Sequence, residues 1–190
     1  MSELRIYPDS GSERHQRFVD AAEIAAQLAE IGVRFERWTA DKPLTPQAGQ
    51  EEVIAAYRAD IDRLMKENGF RSVDVISVSP DHPDRKALRD KFLSEHVHTE
   101  FEVRFFVDGR GLFFLHIDDW VYAVLCEKGD LISVPSGVRH WFDLGEHPDV
   151  KAIRLFSEQS GWVAHYTNDD IAQRFPLLER FLAEREMGPV

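Results

Sequence analysis

The residues best suited to chemistry lie in one short stretch, EHVHTEFEVRFFVDGRG, which covers Glu95–Gly111. Four polar side chains share one parity in this otherwise apolar, β-prone run: His96, His98, Glu102 and Arg104. Because side chains alternate across a strand, these groups should share one face. Imidazole and carboxylate groups gathered on an interior face lose hydration, and a divalent cation compensates for that loss. The stretch therefore predicts a metal site.

A fourth ligand is expected from a second stretch, GDLISVPSGVRH, which runs from Gly129 to His140. Its Pro135–Gly137 segment favours a tight turn, which can direct the following imidazole into the interior of a barrel. His96 and His98 taken alone fit the wet face of a surface strand equally well. With all four groups at this spacing, the predicted metal ligands are His96, His98, Glu102 and His140.

The elements that would position these ligands are mainly strands. From residue 93 to residue 167, short β-prone runs alternate with turn signals such as DGRG and EKGD. Many short strands at this spacing predict a small sandwich or barrel. Residues 93–167 are therefore the predicted metal-binding β-barrel core. Residues 168–190 return to a helical pattern, which Pro176 interrupts.

The preceding segment, residues 1–92, is predicted to be a mostly helical flank. A Ser cap followed by apolar periodicity predicts a helix over Ser12–Ile31. Three further elements are predicted: a helix from Thr45 to about Gly69, a strand over SVDVISVS and a short helix over Pro83–Phe92. The expected architecture is a single domain, residues 1–190, that is mainly β with flanking helices.

Composition restricts the partners and the compartment. The chain has 190 residues with 23 Lys+Arg and 34 Asp+Glu, a net charge of −11, which disfavours a nucleic-acid partner. No apolar run reaches the ~20 residues of a membrane helix, and the N-terminus lacks an apolar signal core. The single cysteine, Cys126, excludes an intramolecular disulfide and fits a reducing compartment. A cytoplasmic protein with no membrane partner is expected.

Two motifs carry a resemblance to a known superfamily. H-x-H-x3-E and the later G-x5-P-x-G-x2-H are similar to the two metal motifs of cupins, although Asp90 and Leu144 stand where those motifs usually have Gly and Asn. The longer stretches EHVHTEFEVRFFVDGRGLF, GDLISVPSGVRHWFD and IRLFSEQSGWVAHY resemble the acireductone dioxygenase family of methionine salvage. The similarity extends over most of the chain.

This resemblance implies a cupin-type jelly-roll β-barrel that binds one Fe²⁺ or Ni²⁺ per chain. It further implies cleavage of the acireductone 1,2-dihydroxy-5-(methylsulfanyl)pent-1-en-3-one by dioxygen. Iron-loaded members of the family yield formate and 4-methylsulfanyl-2-oxobutanoate. Nickel-loaded members yield formate, carbon monoxide and 3-methylsulfanylpropanoate. Bacterial members are usually monomers, so a monomer is expected here as well.

Four further residues are candidates for catalytic roles. Arg104 shares the parity of the ligands and could stabilise a deprotonated substrate, although a solvated or salt-bridged arginine is the alternative. Arg154 has the same two interpretations: a residue of the pocket, or a solvated or salt-bridged arginine. The resemblance implies that Glu95 assists metal loading and that Phe101 relays local conformational change. Because Glu95 has the opposite parity to His96, a plain surface charge is its alternative.

Two other functions share the predicted ligands: a different metal-dependent cupin enzyme, and a non-catalytic cupin that binds metal or a small ligand. The remaining aromatic residues near the motifs are predicted to be core: Phe92, Phe105, Phe142, Phe156 and Trp162. Three histidines lack a partner at ligand spacing and are predicted to lie outside the site: His116, His147 and His165.

Overall fold

The computed structural model describes residues 1–158 and 163–186, which form mostly β sheet with a few helices. The strands in these ranges are β1 Glu3–Pro8, β2 Gln16–Phe18, β3 Arg34–Arg37, β4 Ser72–Val78, β5 His96–Val97, β6 Glu102–Ile117, β7 Trp120–Glu127, β8 Asp130–Val134, β9 Arg139–Asp143, β10 Val150–Phe156 and β11 His165–Tyr166. The helices are α1 Ala21–Glu30, α2 Gln50–Ala56, α3 Arg58–Asn68, α4 Arg85–Phe92 and α5 Leu178–Glu186, with a 3-10 turn at Ile171–Arg174.

Strand β6 organises the sheet because it belongs to both layers. Its first half pairs with β8 and β10, so that Arg104 lies opposite both Ile132 and Arg154. Its second half pairs with β7 and β9, so that Leu115 lies opposite His140. One apolar cluster draws residues from both layers, which therefore enclose a shared interior.

The strand order identifies the arrangement as an open jelly roll. Hydrogen-bonded neighbours follow the path β11-β5-β9-β6-β7-β1-β2, with β8 and β10 leading off β6 to β3 and β4. Among the described strands this path does not close on itself. The predicted mainly β class with flanking helices is confirmed, but the predicted closed barrel is not seen. The number and spacing of strands do not determine whether the outer edges pair.

Helices cover the outer faces of the two layers. Helices α2 and α3 bury residues such as Val53 and Ile61 against the outer side of β6 and β10. Helix α5 places Leu178 and Phe181 against the outer side of β7 and β9. Burying these apolar side chains contributes about 1.5–3 kcal/mol each to stability. The interior between the layers is left for the predicted site.

The N-terminal segment differs from the helical prediction. The helix predicted from Ser12 begins only at Ala21, because Asp20 is its N-cap and accepts hydrogen bonds from two backbone N–H groups. Before it, β1 pairs with β7 and extends the sheet. Sequence alternation did not reveal β1 because Glu3 and Arg5 are buried as an ion pair rather than exposed. Residues 1–92 thus interleave four strands with four helices in the described chain.

Other predicted elements agree with the structure. The second predicted helix begins at Gln50, with Gly49 as its N-cap, rather than at Thr45. It is divided at Tyr57 into α2 and α3 and ends at Gly69, whose φ of 71° is left-handed. Strand β4 and helix α4 lie where they were predicted. In the predicted C-terminal helical segment, the structure forms a 3-10 turn at Ile171–Arg174 before Pro176 and helix α5 at Leu178–Glu186 after it. Across the described residues, we find no helix with the length and apolar character required to cross a membrane.

Candidate metal centre

The predicted ligands come from three strands that meet at one end of the interior. His96 lies on β5 and is the register partner of His140 on β9. His98 follows β5 directly, and Glu102 is the first residue of β6. All four side chains are buried, with between 1% and 7% of their surface exposed. The structure therefore brings together every residue that the two motifs nominated as a ligand.

The three imidazoles point one ring nitrogen each toward a common point. One ligand atom from each histidine lies within 4.8 Å of the others. Each Nδ1 faces a backbone carbonyl, which favours the tautomer that keeps Nδ1 protonated and leaves Nε2 as the free donor for a metal. The Nδ1–carbonyl distances are 2.7 Å for His96 to Ser94, 3.1 Å for His98 to Val163 and 2.7 Å for His140 to Val138.

Glu102 completes the donor set. Its Oε2 lies 3.5 Å from His98 Nε2 and 3.7 Å from His140 Nε2. Within the described chain, both Glu102 Oε2 and His140 Nε2 are buried without a hydrogen-bond partner. Leaving such groups unpaired costs free energy, and a cation held between them removes that cost. Nitrogen and carboxylate donors of this kind suit Fe²⁺, Ni²⁺ and related ions, so the residues fit a divalent metal.

The protonation states also favour metal binding at neutral pH. Burial lowers the pKa of His140 to about 3 and lowers the pKa of His96 as well. Burial alone would raise the pKa of Glu102, but the positive charge of Arg104 and the adjoining imidazoles bring it down to about 2. A metal requires neutral imidazole and ionised carboxylate, and the pKa shifts of His96, His140 and Glu102 favour these forms at neutral pH.

Arg104 lies inside the site rather than in solvent. Its Nε donates a hydrogen bond of 2.5 Å to Glu102 Oε1, and only 3% of the residue is exposed. The guanidinium carbon lies 4.9 Å from the ring centre of Phe113 and 4.8 Å from that of Phe142. Cation–π contacts at these distances stabilise a desolvated arginine. Its Nη1 is buried without a hydrogen-bond partner in the described chain.

Arg154 is the register partner of Arg104 but makes a different set of contacts. Its Nε and Nη2 donate to the two oxygens of Asp74 at 2.9 and 2.5 Å. The guanidinium carbon lies 5.6 Å from the ring centre of Phe156. The structure thus shows a bidentate ion pair between β10 and β4. A catalytic role for Arg154 stays a prediction.

Glu95 is not the surface charge that its parity allowed. It is 1% exposed, and its Oε1 lies 2.6 Å from His116 Nδ1. Its Oε2 accepts a hydrogen bond of 2.6 Å from Thr167 Oγ1. On the face opposite the ligands, His116 from β6 and Thr167 after β11 contact Glu95, and parity alone could not show these contacts. His116, predicted to lie apart from the site, is therefore linked to it through Glu95.

Phe101 lies on the surface, with 47% of the residue exposed, so the structure adds nothing to its predicted relay role. Tyr166 was not nominated from the sequence, yet its ring lies 5.8 Å from that of His96 at the partly exposed rim. The predicted core aromatic residues Phe105, Phe142 and Phe156 are buried, and Phe92 packs against the interior cluster. Trp162 lies outside the described residues.

Fold and site together define the class. An open jelly roll with three histidines and one glutamate converging inside it is the arrangement of a cupin-type metalloprotein, and the donors come from both motifs in the expected order.

Comparison with known proteins narrows this class to one family. The model of the ARD/ARD′ family matches residues 3–164. An acireductone dioxygenase of Pseudomonas paraeruginosa is 60% identical over 180 residues, which cover 94% of this chain and 99% of that protein. Another from Methylococcus capsulatus is 56% identical over 182 residues, which cover 96% and 98%. The chain therefore belongs to the ARD/ARD′ family.

A solved structure agrees with this assignment. The acireductone dioxygenase from Bacillus anthracis, solved with a cadmium ion in its active centre, is 35% identical to this chain. The two superpose with a TM-score of 0.77 over 87% of this chain and 98% of the other. The sequence resemblance to this family is thus confirmed by sequence and by fold.

Proposed function

We propose that this chain is a metal-dependent dioxygenase that cleaves the acireductone 1,2-dihydroxy-5-(methylsulfanyl)pent-1-en-3-one with dioxygen in methionine salvage. The observation that carries the proposal is the meeting of His96, His98, Glu102 and His140 around unpaired donor atoms. Relatives at 56% and 60% identity bear the name of this activity. The cadmium in the related structure supports a metal at the matching centre.

The resident metal is proposed to be one Fe²⁺ or Ni²⁺ per chain, held by the three Nε2 atoms and Glu102. When bound, this ion supplies Lewis acidity that favours the ene-diolate of the substrate over its protonated form. The donor set itself suits either metal. We propose that the metal decides the products, as the family resemblance implies: formate and the 2-oxo acid with iron, and formate, carbon monoxide and the shorter acid with nickel.

Charge balance gives Arg104 a function. Three neutral imidazoles and one carboxylate leave a divalent centre at +1, so a dianionic substrate brings the site to −1. A single buried guanidinium offsets this charge. Arg104 also holds Glu102 Oε1 and so leaves Oε2 for the metal. Its unpaired Nη1 is a donor available to a substrate oxygen. Arg104 is therefore proposed to favour and orient the deprotonated substrate.

We also propose the substrates that the family resemblance implies, together with a compartment and an oligomeric state. The substrates are small molecules, acireductone and dioxygen. The single buried cysteine fits a reducing cytoplasm, and the net charge of −11 is compatible with a soluble monomer.

The direct test uses freshly generated acireductone in air. Iron-reconstituted protein should remove the enediol absorbance faster than a protein-free control, and formate with the 2-oxo acid should accumulate. Nickel-reconstituted protein should release carbon monoxide instead of the 2-oxo acid. Loss of absorbance at the control rate with both iron and nickel would contradict the proposed function.

A further inference from the structure

The short segment that carries the metal ligands His96 and His98 has little support from strand pairing. Strand β5 has only two residues, His96 and Val97, and His98 follows it. On one side β5 shares a single register pair with β9, and on the other side it pairs with the equally short β11. Strands of this length are marginal on backbone hydrogen bonds alone. Something else must keep these imidazoles in place.

A buried carboxylate beside the ligands supplies that support. Glu95 precedes His96, and its two oxygens are held from opposite sides of β5. His116, in the central strand β6, contacts Oε1 at 2.6 Å. Thr167, directly after β11, donates its hydroxyl to Oε2 at 2.6 Å and its backbone N–H to the Glu95 carbonyl at 3.1 Å. Glu95 therefore ties β5 to the most central strand and to the outermost one.

The location of this network separates it from the ligands. His116 and Glu95 are 5% and 1% exposed. His116 pairs with Arg139, one residue along from the pair of Leu115 and His140. Because side chains alternate along a strand, His116 points away from the interior that holds the metal ligands. Neither His116 nor Thr167 is among the donors that face the metal. Both residues reach the site through Glu95, and the Thr167 hydroxyl also accepts a hydrogen bond from the Asp169 backbone N–H.

We propose that His116 and Thr167 are positioning residues which, through Glu95, fix strand β5 and slow release of the metal. The proposal rests on the metal centre proposed above. Groups that orient metal ligands commonly change metal affinity by about 10–100-fold when removed. Since this network acts one step further away, we expect release to accelerate by about tenfold.

The experiment measures Ni²⁺ transfer from loaded protein to the chromogenic chelator 4-(2-pyridylazo)resorcinol. Thr167→Val removes the hydroxyl at nearly constant volume, and Thr167→Ser restores it. His116→Phe removes the contact to Oε1, while His116→Asn keeps a donor near the position of Nδ1. Thr167→Val and His116→Phe should each release Ni²⁺ about tenfold faster than wild type. Thr167→Ser and His116→Asn should stay close to wild type.

A matched control separates positioning from general loss of stability. Asp130 is also a fully buried carboxylate, held by Ser2, Arg37 and a backbone N–H, but β8 places it at the strand end away from Glu102. Asp130→Asn should lower the free energy of urea unfolding and leave the rate of Ni²⁺ release unchanged.

Two results would overturn the proposal: release from Thr167→Val at the wild-type rate, or equal acceleration by Asp130→Asn. If wild type itself fails to bind Ni²⁺ and Fe²⁺, the proposed metal centre is wrong and this inference fails with it. Normal binding by wild type with unchanged release from Thr167→Val would overturn the positioning role alone.

Discussion

Arg104 and Glu102, two residues apart on β6, share a hydrogen bond of 2.5 Å between Nε and Oε1. The bond uses one oxygen of the carboxylate and leaves Oε2 beside the imidazoles of His98 and His140. Arg104 thus determines how Glu102 presents itself to a metal, and it also brings a positive charge close to where the substrate would lie. One side chain therefore couples the geometry of the ligand to the charge of the site.

Arg104→Lys should separate these two effects. Lysine keeps the charge but lacks the planar fork that bonds Glu102 while directing a second donor into the site. Loss of one preorganised donor typically costs about 10²–10³ in kcat. We expect a fall of this size in acireductone turnover, measured by stopped-flow absorbance, with nearly unchanged iron content by elemental analysis.

The control for Arg104→Lys is Arg110→Lys, since Arg110 lies in the middle of β6 opposite Glu127, at the far end of β7, and has no contact with the metal ligands among the described residues. It should turn over like wild type. Full activity in Arg104→Lys would show that a positive charge alone is sufficient.

Gly111→Ala should disturb the site from a distance. A Cβ at Gly111 would lie 2.1 Å from Cζ of Phe142, so the ring must move. Phe142 is one of the two rings against Arg104. Forcing extra atoms into a packed core costs about 1–3 kcal/mol. We expect a loss of this size in urea unfolding, together with reduced turnover.

Gly49→Ala is the matched control for this substitution, because no atom lies within 4 Å of a Cβ at Gly49. It should lower the free energy of unfolding by at most about 1 kcal/mol, because Ala is a poorer N-cap than Gly, and it should leave turnover unchanged. Equal stability of Gly111→Ala and wild type would mean that Phe142 relocates freely and does not fix Arg104.

The sequence was most informative where strand periodicity governs the chemistry. Parity placed His96, His98, Glu102 and Arg104 on one face, and the structure puts all of them in the interior. This succeeds because side-chain alternation in a strand is a local property. The turn before His140 is local as well, so its contribution could also be predicted.

Contacts between distant segments could not be predicted in this way. Glu95 meets His116 and Thr167, which lie 21 and 72 residues away. Arg154 meets Asp74 across 80 residues. The local sequence pattern does not distinguish a buried polar group from an exposed one, because burial depends on which distant segment covers the group. For the same reason, β1 could not be predicted, since the buried charges of Glu3 and Arg5 have partners on β2 and α5.

The stability of the metal-free protein should fall as the pH falls below about 6.5. Burial lowers the pKa of His96 and His140 from 6.5, that of His140 to about 3, so the unfolded chain binds more protons in this window. The free energy of unfolding must then rise with pH across it. Glu102 acts in the same direction but lower: its contribution is present above 4.5 and is lost as the pH falls toward about 2.

Urea unfolding of metal-free protein at about pH 7.5 and about pH 5 measures this dependence. His140→Gln removes the titrating group, so its stability should vary less between the two conditions than that of wild type. An equal pH dependence in the variant and wild type would contradict the assignment of the effect to His140.

Removing a ligand should release the metal while the fold persists. His140→Ala deletes a donor from β9, and the register pair with β5 is formed by the backbone and survives the change. Removing a group that hydrogen-bonds to a metal ligand lowers metal affinity by about 10–100-fold, so removing the ligand itself should lower the affinity by more than about 100-fold. Iron content after dialysis should be near zero, and circular dichroism should resemble that of the metal-free wild type.

The matched control is His147→Ala, because His147 is exposed and lies after β9 rather than at the site. It should keep its iron and its activity. If His140→Ala also keeps iron, the ion must be held without β9, and the two motifs would not form one centre. In that case Glu102 Oε2 and Arg104 Nη1 would require other partners, since both atoms are buried without one in the described chain.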